Sequence, residues 1–215
     1  MTQPGRRPNR PSWKERPATD WAEREAFRVA KEVERLRDKR SAQWLADQTK
    51  KLGYEVTRSV ITDLENGRRR YVTTAELVVL AAALNTAPVA LLYPNPSDDL
   101  GELFKVLPHV ETTQFQAAQW FSGLRRGFTD RGSLPGEEAG RGGAESARLR
   151  AEFDANMLTL DLWRNLDGFY QGRREASHVR PGEELTDSQI KQIAMYDGQI
   201  RRVRALLGLD TGDDA

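Results

Sequence analysis

Residues 57–70 read TRSVITDLENGRRR, from Thr57 to Arg70, and carry the signals of a short helix with a defined start and end. The Thr57 hydroxyl can accept a hydrogen bond from the first free backbone N–H groups. Asn66-Gly67 offers a residue that tolerates the left-handed conformation found at helix ends. Val60, Ile61 and Leu64 recur at the spacing of a buried stripe. We therefore predict a helix with one face on a core and one polar face outward.

That polar face carries four side chains with donors or acceptors: Arg58, Ser59, Thr62 and Asp63. Such groups can read base edges in the major groove of DNA. Arg58 is the strongest candidate, because a guanidinium can bond guanine O6 and N7 at once. Asp63 can accept from cytosine N4 or hold Arg58 in place. Taken alone, the stretch is equally well read as a surface helix followed by a basic loop.

The preceding segment favours the DNA interpretation. Ser41 is a predicted N-cap, Leu45 and Leu52 form an apolar stripe with Trp44, and Gly53 ends the segment. Two short capped helices in series, the second with a polar outer face, are typical of a helix-turn-helix. Residues that flank the two helices are then the expected phosphate contacts: Ser41, Gln43, Lys50, Lys51, Thr57, Arg68, Arg69, Arg70 and Thr73.

Composition limits the classes of function. The 215 residues have room for one or two domains. The chain has no cysteine, which excludes disulfides, thiolate metal sites and thiol nucleophiles, and its two histidines, His109 and His178, lack partners at metal-ligand spacing. Residues 1–96 carry 18 Lys and Arg against 12 Asp and Glu, whereas residues 97–215 carry 15 against 20. A basic first half predicts that this half binds the polyanion. We expect no metal and no cofactor.

Two further absences bear on location. No window holds the roughly 18 consecutive apolar residues of a membrane span. The basic N-terminus lacks the apolar segment of a secretory signal. The sequence therefore predicts a cytoplasmic protein without a membrane partner.

The chain divides into three predicted parts. Residues 1–19 are rich in proline and form a flexible arm, whose Arg6, Arg7 and Arg10 either enter a minor groove or belong to a merely disordered tail. Residues 20–96 form the DNA-binding domain, from a helix capped by Asp20 to a short fifth helix. The fourth helix, directly before the fifth, is apolar almost all round and is therefore predicted to be buried.

Residues 97–215 form a predicted helical C-terminal domain. It begins with a strand or helix at 100–107 and a helix at 113–126, and residues 127–145 form a flexible loop. A long helix over 146–174 carries an apolar stripe, and a final helix starts at Thr186. The stripe consists of Leu149, Phe153, Met157, Leu160 and Trp163. Four roles remain open for the helices of this domain: they pack on each other, they dimerise the chain, they make a second DNA contact or they bind an effector.

Residues 24–94 resemble the lambdoid-repressor-type (XRE-like) helix-turn-helix domain, a five-helix DNA-binding unit. The resemblance is carried by Leu45-Ala46, by residues 57–67, by the apolar run 77–84 and by residues 91–94. It implies an all-α fold, in which Arg58, Ser59 and Asp63 read bases and Thr62 lies at the edge of that surface. It also implies that Glu65 pairs with an arginine of the first helix, Arg37 before Arg35.

The chain departs from the common family pattern in two places. The link from Leu45-Ala46 to the second helix of the motif is several residues longer. The turn before Ser41 is shorter, with Lys39-Arg40 where the family often has a glycine. Both departures resemble a variant of actinobacterial regulators.

These features together predict a sequence-specific regulator that binds double-stranded DNA, a repressor acting by operator occlusion. The family includes host regulators and phage immunity repressors, and either remains open. The alternative is a protein-interaction module, or an antitoxin whose C-terminal helices bind a partner protein. We expect no enzyme. Ala139-Gly140 could suggest self-cleavage, but Lys105 and Lys191 have no recognisable Ser–Lys setting, and metalloprotease, P-loop and dinucleotide-binding motifs are absent.

Overall fold

The computed structural model describes residues 11–94, 103–126, 143–179 and 184–209, and these residues are mostly helical. They form eight helices and one β-hairpin, so the predicted helical class holds apart from two short strands. The chain divides into two compact units, residues 1–138 and residues 139–215, which we call unit 1 and unit 2.

Five helices open unit 1: α1 (Trp21–Arg37), α2 (Ala42–Lys51), α3 (Arg58–Asn66), α4 (Thr74–Ala83) and α5 (Pro88–Leu92). The predicted caps start four of them, since the side chains of Asp20, Ser41, Thr57 and Thr73 each accept a backbone N–H of the first helical turn. Pro88 occupies the first turn of α5, where its missing N–H is not needed. These predicted helix starts are confirmed. They could be predicted because a cap is formed by residues close together in the chain.

The core of the five helices is built from aliphatic side chains. Val33, Leu45, Ile61 and Leu91 are fully buried in it. Thr49 is also fully buried: its hydroxyl donates to the Ala46 carbonyl at 2.8 Å and accepts the Val56 N–H at 2.9 Å. The hydroxyl therefore ties the connection between α2 and α3 to α2 and sets where α3 begins.

The prediction that the apolar fourth helix is buried all round is wrong. Leu80 and Ala81 of α4 are buried, but the Val78 side chain remains 51% exposed. It lies beside the exposed Leu52 and Tyr54. Helix α4 packs on α2 and α5, and these two neighbours cover only part of its circumference.

Unit 1 continues past the predicted boundary at residue 96. Strands β1 (Phe104–Leu107) and β2 (Val110–Thr112) form an antiparallel hairpin, followed by α6 (Gln114–Phe121). The buried Tyr93 ring, just after α5, lies 5.9 Å from the Phe104 ring and 6.0 Å from the Phe121 ring. The Trp21 indole N–H also donates to the Val106 carbonyl at 3.2 Å. The hairpin and α6 therefore belong with the five helices, which corrects the predicted boundary.

Unit 2 is a pair of helices, α7 (Gly143–Ala176) and α8 (Asp187–Leu206). Leu166 of α7 packs against Ile200 and Val203 of α8. The apolar stripe that the sequence predicted on α7 is a different one. Two of its residues, Leu160 and Trp163, are 47% and 49% exposed. Helix α7 thus has two apolar stripes, and α8 covers the one that was not predicted. Residues 143–145, assigned to the flexible loop, begin α7, whereas residues 127–142 lie outside the described ranges.

Candidate nucleic-acid interface

Helix α3 turns its polar side outward. Arg58 and Ser59 are exposed and Thr62 and Asp63 are half-buried, whereas its apolar residues Ile61 and Leu64 are buried, at 0% and 3% exposure. In a helix, positions i, i+1, i+4 and i+5 lie on one side. The nine-residue helix therefore presents the four predicted base-reading residues on one surface.

Asp63 has a cationic neighbour on that surface. Its Oδ1 lies 3.5 Å from Arg68 Nη1, and both side chains remain substantially exposed, at 37% and 47%. The carboxylate therefore holds Arg68 rather than Arg58 in the unbound chain. An exposed contact at this distance is weak, so both groups stay available to a ligand.

A partly buried ion pair ties α3 to α1. Arg37 Nε donates to Glu65 Oε1 at 2.8 Å and Arg37 Nη2 donates to Glu65 Oε2 at 3.0 Å. The side chains are only 16% and 11% exposed, and hydrogen bonding to Glu65 raises the pKa of Arg37. Of the two arginines that the family resemblance offered, Arg37 makes the pair, whereas Arg35 bonds Glu32 within α1. The bidentate geometry fixes the orientation of α3 as well as its distance from α1.

Arg69 does not present a free charge, which weighs against its predicted role as a phosphate contact. Its guanidinium forms two hydrogen bonds with the Glu76 carboxylate, at 2.6 and 2.9 Å, and lies over the Tyr71 ring. The side chains of the pair are 16% and 11% exposed. Glu76 also caps α4, because its Oε2 accepts the Thr73 N–H at 2.9 Å. Arg69 therefore fastens the α3–α4 loop to the start of α4.

Arg70 is likewise turned inward, which weighs against its predicted phosphate role in the same way. Its guanidinium donates to the Arg16 carbonyl at 2.6 Å and to Glu23 Oε2 at 3.1 Å, and it stacks on the Trp13 ring at 4.5 Å. Only 14% of the side chain is exposed. A hydrogen bond from the Thr19 N–H, aided by Arg70 and Arg16, lowers the pKa of Glu23. The charged form of the Glu23 carboxylate, which pairs with Arg70, is therefore favoured.

The end of α3 is covered by Trp13. Its backbone N–H donates to the Asn66 carbonyl at 2.9 Å, and its indole N–H donates to the Leu64 carbonyl at 3.0 Å. Gly67 ends α3 in the left-handed conformation, with φ of 83°. A Cβ there would lie 2.6 Å from the Trp13 ring, so both the backbone angle and the packing require glycine.

The remaining predicted phosphate residues lie around α2 and the helix starts. The Ser41 hydroxyl caps α2 through the Trp44 N–H at 3.0 Å, and those of Thr57 and Thr73 cap α3 and α4. Gln43 donates to Asp47 at 2.8 Å. Lys50 and Lys51 are exposed at the end of α2. Backbone N–H groups at helix starts and exposed cations are the groups that bind phosphates in general.

The N-terminal residues fall into two groups. Arg6, Arg7 and Arg10 lie outside the described residues. Within residues 11–19, Trp13 is 7% exposed and contacts α1 and the end of α3, and Arg16 pairs with Glu23 of α1. The predicted flexible arm is thus corrected for residues 11–19.

Comparison of the chain with protein-family models, curated proteins and solved structures finds no match. Within the described ranges, no group of three or more His, Asp or Glu side chains could hold a metal ion. No described helix is long and apolar enough to cross a membrane.

Sequence reasoning missed the cluster formed by Trp13, Glu23 and Arg70. Nothing in the proline-rich segment indicates that its tryptophan is buried, since the Leu64 carbonyl that accepts the indole N–H lies 51 residues away in the chain. The available signal was Trp13 itself, because a large aromatic side chain seldom remains in solvent without a partner. The ion pairs of Arg69 and Arg70 were also missed, because a run of basic residues does not show which acidic residues it will meet.

Proposed function

We propose that this chain is a sequence-specific, double-stranded DNA-binding transcriptional regulator. Unit 1 would be a helix-turn-helix domain of the lambdoid-repressor type, with α2 and α3 as the motif and α3 as the reading helix. The observation that carries the proposal is the outward polar surface of α3, formed by Arg58, Ser59, Thr62 and Asp63. A nine-residue helix of this kind fits a major groove, which admits an α-helix.

The ties on the other side of α3 support this assignment. Base reading needs side chains held on a rigid element. Helix α3 is held by buried aliphatic residues, by the Arg37–Glu65 pair and by Trp13 at its end. Each of these contacts lies away from the polar surface and leaves it free for a ligand.

Phosphate contacts would come from the exposed cations that border this surface. Arg68 follows α3, and Lys50 and Lys51 end α2. Together with the N-termini of α2, α3 and α4 they would fix the register of unit 1 on the duplex. Affinity would then fall steeply as salt concentration rises, because bound phosphates release their counterions.

Repression would follow from where the protein binds on the DNA. A protein seated in the major groove at an operator excludes polymerase from overlapping DNA, and this mechanism requires no enzymatic step. Such a regulator acts in the cytoplasm, in a host cell or as an immunity repressor of a phage.

Unit 2 would dimerise the protein. Leu160 and Trp163 belong to an exposed apolar stripe on α7, and Ile190 and Met195 of α8 are about half exposed. Two packed helices leave one flank of each uncovered, and a second copy would complete a four-helix arrangement. Exposed apolar residues grouped on one side of a helix are typical of an interaction site. A partner protein on the same surface is the rival explanation, and it would make the chain an antitoxin or docking module.

The deciding experiment is selection of bound sites from a pool of random duplexes with the full chain, run in parallel with Arg58→Ala. We expect an enriched motif from the full chain, and loss of preference at one base pair in the variant. A palindromic motif would support a dimer. Failure of the full chain to enrich any sequence would contradict the proposal and favour the protein-partner alternative.

A further inference from the structure

We infer that unit 1 holds a binding site for a small apolar amine, in a pocket between α1, the loop that joins α3 to α4, and the ends of α4 and α5. Glu25 of α1 is the residue that would bind the ammonium group. Three observations carry this inference: the size of the pocket, the apolar character of its walls, and a carboxylate oxygen of Glu25 that has no partner. The site does not depend on the proposed function, because it is separate from the polar surface of α3.

The pocket is small and mostly apolar. Its volume is about 250 Å³, whereas sites for drug-sized ligands measure about 300–1,000 Å³. It therefore suits a molecule with a single ring and a short side chain. The apolar walls include Trp21, Ala26, Tyr71, Val72, Leu77 and Leu92.

Two of these walls are aromatic. Trp21 begins α1, and Tyr71 lies in the loop between α3 and α4. The indole N–H of Trp21 donates to the Val106 carbonyl at 3.2 Å, and this bond fixes the position of the ring. Walls of this kind favour a ligand with an apolar body, and the faces of tryptophan and tyrosine rings also attract cations.

Glu25 is the acidic residue of the pocket wall. Its Oε1 accepts a hydrogen bond from the Arg28 guanidinium, whereas no described residue donates to its Oε2. Arg28 is held in place by other groups as well, since its Nε donates to the Leu92 carbonyl at 3.2 Å and its guanidinium lies over the Phe104 ring at 4.7 Å. The Glu25 carboxylate therefore keeps one oxygen that can accept from a ligand.

The charge balance at Glu25 favours a second cation. Burial raises the pKa of the Glu25 carboxyl, and the charge of Arg28 offsets this rise only in part. Arg70, the basic residue of the pocket wall, is already paired with Glu23. An ammonium group beside Glu25 would stabilise its carboxylate, because an opposite charge within about 4–6 Å favours the charged form. An anionic ligand would instead be repelled by Glu25.

The test is calorimetric titration of the full chain at neutral pH with three probes of similar size: 2-phenylethylamine, 2-phenylethanol and 3-phenylpropionate. Each probe has a single ring and a short side chain, and the three differ in charge. Their affinities therefore separate burial of the ring from pairing with Glu25. We expect the amine to bind about tenfold more tightly than the alcohol, because hydrogen bonds to charged groups are stronger than those between neutral groups. The carboxylate should bind more weakly than either.

Glu25→Gln removes the charge and keeps the shape of the side chain. We expect this change to weaken binding of the amine by about tenfold and binding of the alcohol by less than about twofold. Glu34→Gln is the matched control, because Glu34 is another carboxylate of α1, pairs with Lys31 at 49% exposure and does not line the pocket. This control should bind all three probes as the native chain does.

Two tyrosines provide a second matched pair, which decides the question should Glu25→Gln not fold. Tyr71 lines the pocket and is 58% exposed, whereas Tyr54 is 50% exposed and lies beside Leu52 and Val78, on a surface without charged residues. We expect Tyr71→Ala to weaken binding of the amine by about threefold, as loss of an exposed cation–π contact does. Tyr54→Ala should leave it unchanged. Circular dichroism checks that each variant is folded.

Three results would overturn the inference. Equal affinities for the amine and the alcohol, or an amine affinity that Glu25→Gln leaves unchanged, would exclude Glu25 as the binding group. Tighter binding of the carboxylate than of the amine would exclude an amine as the ligand and favour Arg70 as the binding group. Failure of all three probes to bind at millimolar concentration would exclude the site itself. Selection of bound duplexes tests the proposed function separately, so either proposal can fail without the other.

Discussion

Arg37 and Glu65 form an ion pair whose side chains are only 16% and 11% exposed. Removing one partner of such a pair leaves the other charge buried without compensation, which costs about 3–5 kcal/mol. We therefore expect Arg37→Ala to lower the free energy of unfolding by about 3 kcal/mol, measured by urea titration. Lys31→Ala is the control, because Lys31 pairs with Glu34 on the same helix with both side chains 49% exposed. A loss as small as that of the control, within about 0.5 kcal/mol, would contradict the structural role of the pair.

Neighbouring arginines in the 68–70 triplet differ in exposure and in their partners. Arg68 is 47% exposed, whereas Arg69 is 16% exposed and bonded to Glu76. We expect Arg68→Ala to weaken binding to all duplexes about equally and to flatten the salt slope by about 1, as one lost phosphate contact does. Arg69→Ala should instead lower the melting temperature and leave the salt slope unchanged in the folded protein. The reverse pattern, measured by fluorescence anisotropy and thermal melting, would return Arg69 to its predicted phosphate role.

We expect Glu76 to make the stability of unit 1 depend on pH. Burial alone would raise the pKa of the Glu76 carboxyl, but the Thr73 N–H, the Arg69 guanidinium and the Thr73 hydroxyl together lower it. A carboxyl whose pKa is lower in the folded state adds stability that is fully present above the unfolded value, about 4.3, and is lost as pH falls through the folded value. The stability difference between the native chain and Glu76→Gln should therefore shrink as pH falls from about 5 towards 3. A difference independent of pH would show that Glu76 contributes only as a neutral hydrogen-bonding group.

At the scale of elements, the helix starts could be predicted, but the neighbours that cover each helix could not. A cap involves residues three apart in the chain, so Asp20, Ser41, Thr57 and Thr73 could be read from the sequence. The exposed side of α4 depends on which neighbours cover it, and the apolar composition of the helix does not contain that information. The stripe of α7 that packs on α8 was missed for the same reason, because two stripes with helical spacing are present and only tertiary contacts choose between them.

The β-hairpin and α6 contribute to the stability of the five helices. Tyr93 is 6% exposed and packs on Phe104 and Phe121, and the Arg28 guanidinium lies over the Phe104 ring at 4.7 Å. We expect a fragment of residues 1–96 to unfold at lower urea concentration than one of residues 1–126, since burying a large aromatic or aliphatic side chain contributes about 1.5–3 kcal/mol. Identical midpoints for the two fragments would restore the predicted boundary at residue 96.

At the scale of the whole molecule, the candidate site was predictable in part. The polar surface of α3 could be predicted from the spacing of its apolar residues. In a short amphipathic helix, that spacing shows which side packs on the core and therefore which side is exposed. The charge of this surface could not be predicted, because the number of basic residues does not show which of them form ion pairs. Arg69 and Arg70 stabilise the fold, so the positive surface next to α3 is narrower than the sequence predicted. If the chain binds DNA as proposed, phosphate binding there would depend more heavily on Arg68, Lys50 and Lys51.

Dimerisation through unit 2 is the proposal that sets how many operator half-sites the molecule occupies. Leu160 and Trp163 lie on one side of α7 and are about half exposed, so a glutamate at both positions would place charges inside a dimer interface. We expect light scattering to give a dimer for the native chain and a monomer for Leu160→Glu with Trp163→Glu. The control is Asn165→Glu, which adds a charge at an exposed polar position of the same helix and should remain dimeric. A dimer that survives the double change would exclude this stripe as the interface, and a native monomer would favour a partner protein on the same surface.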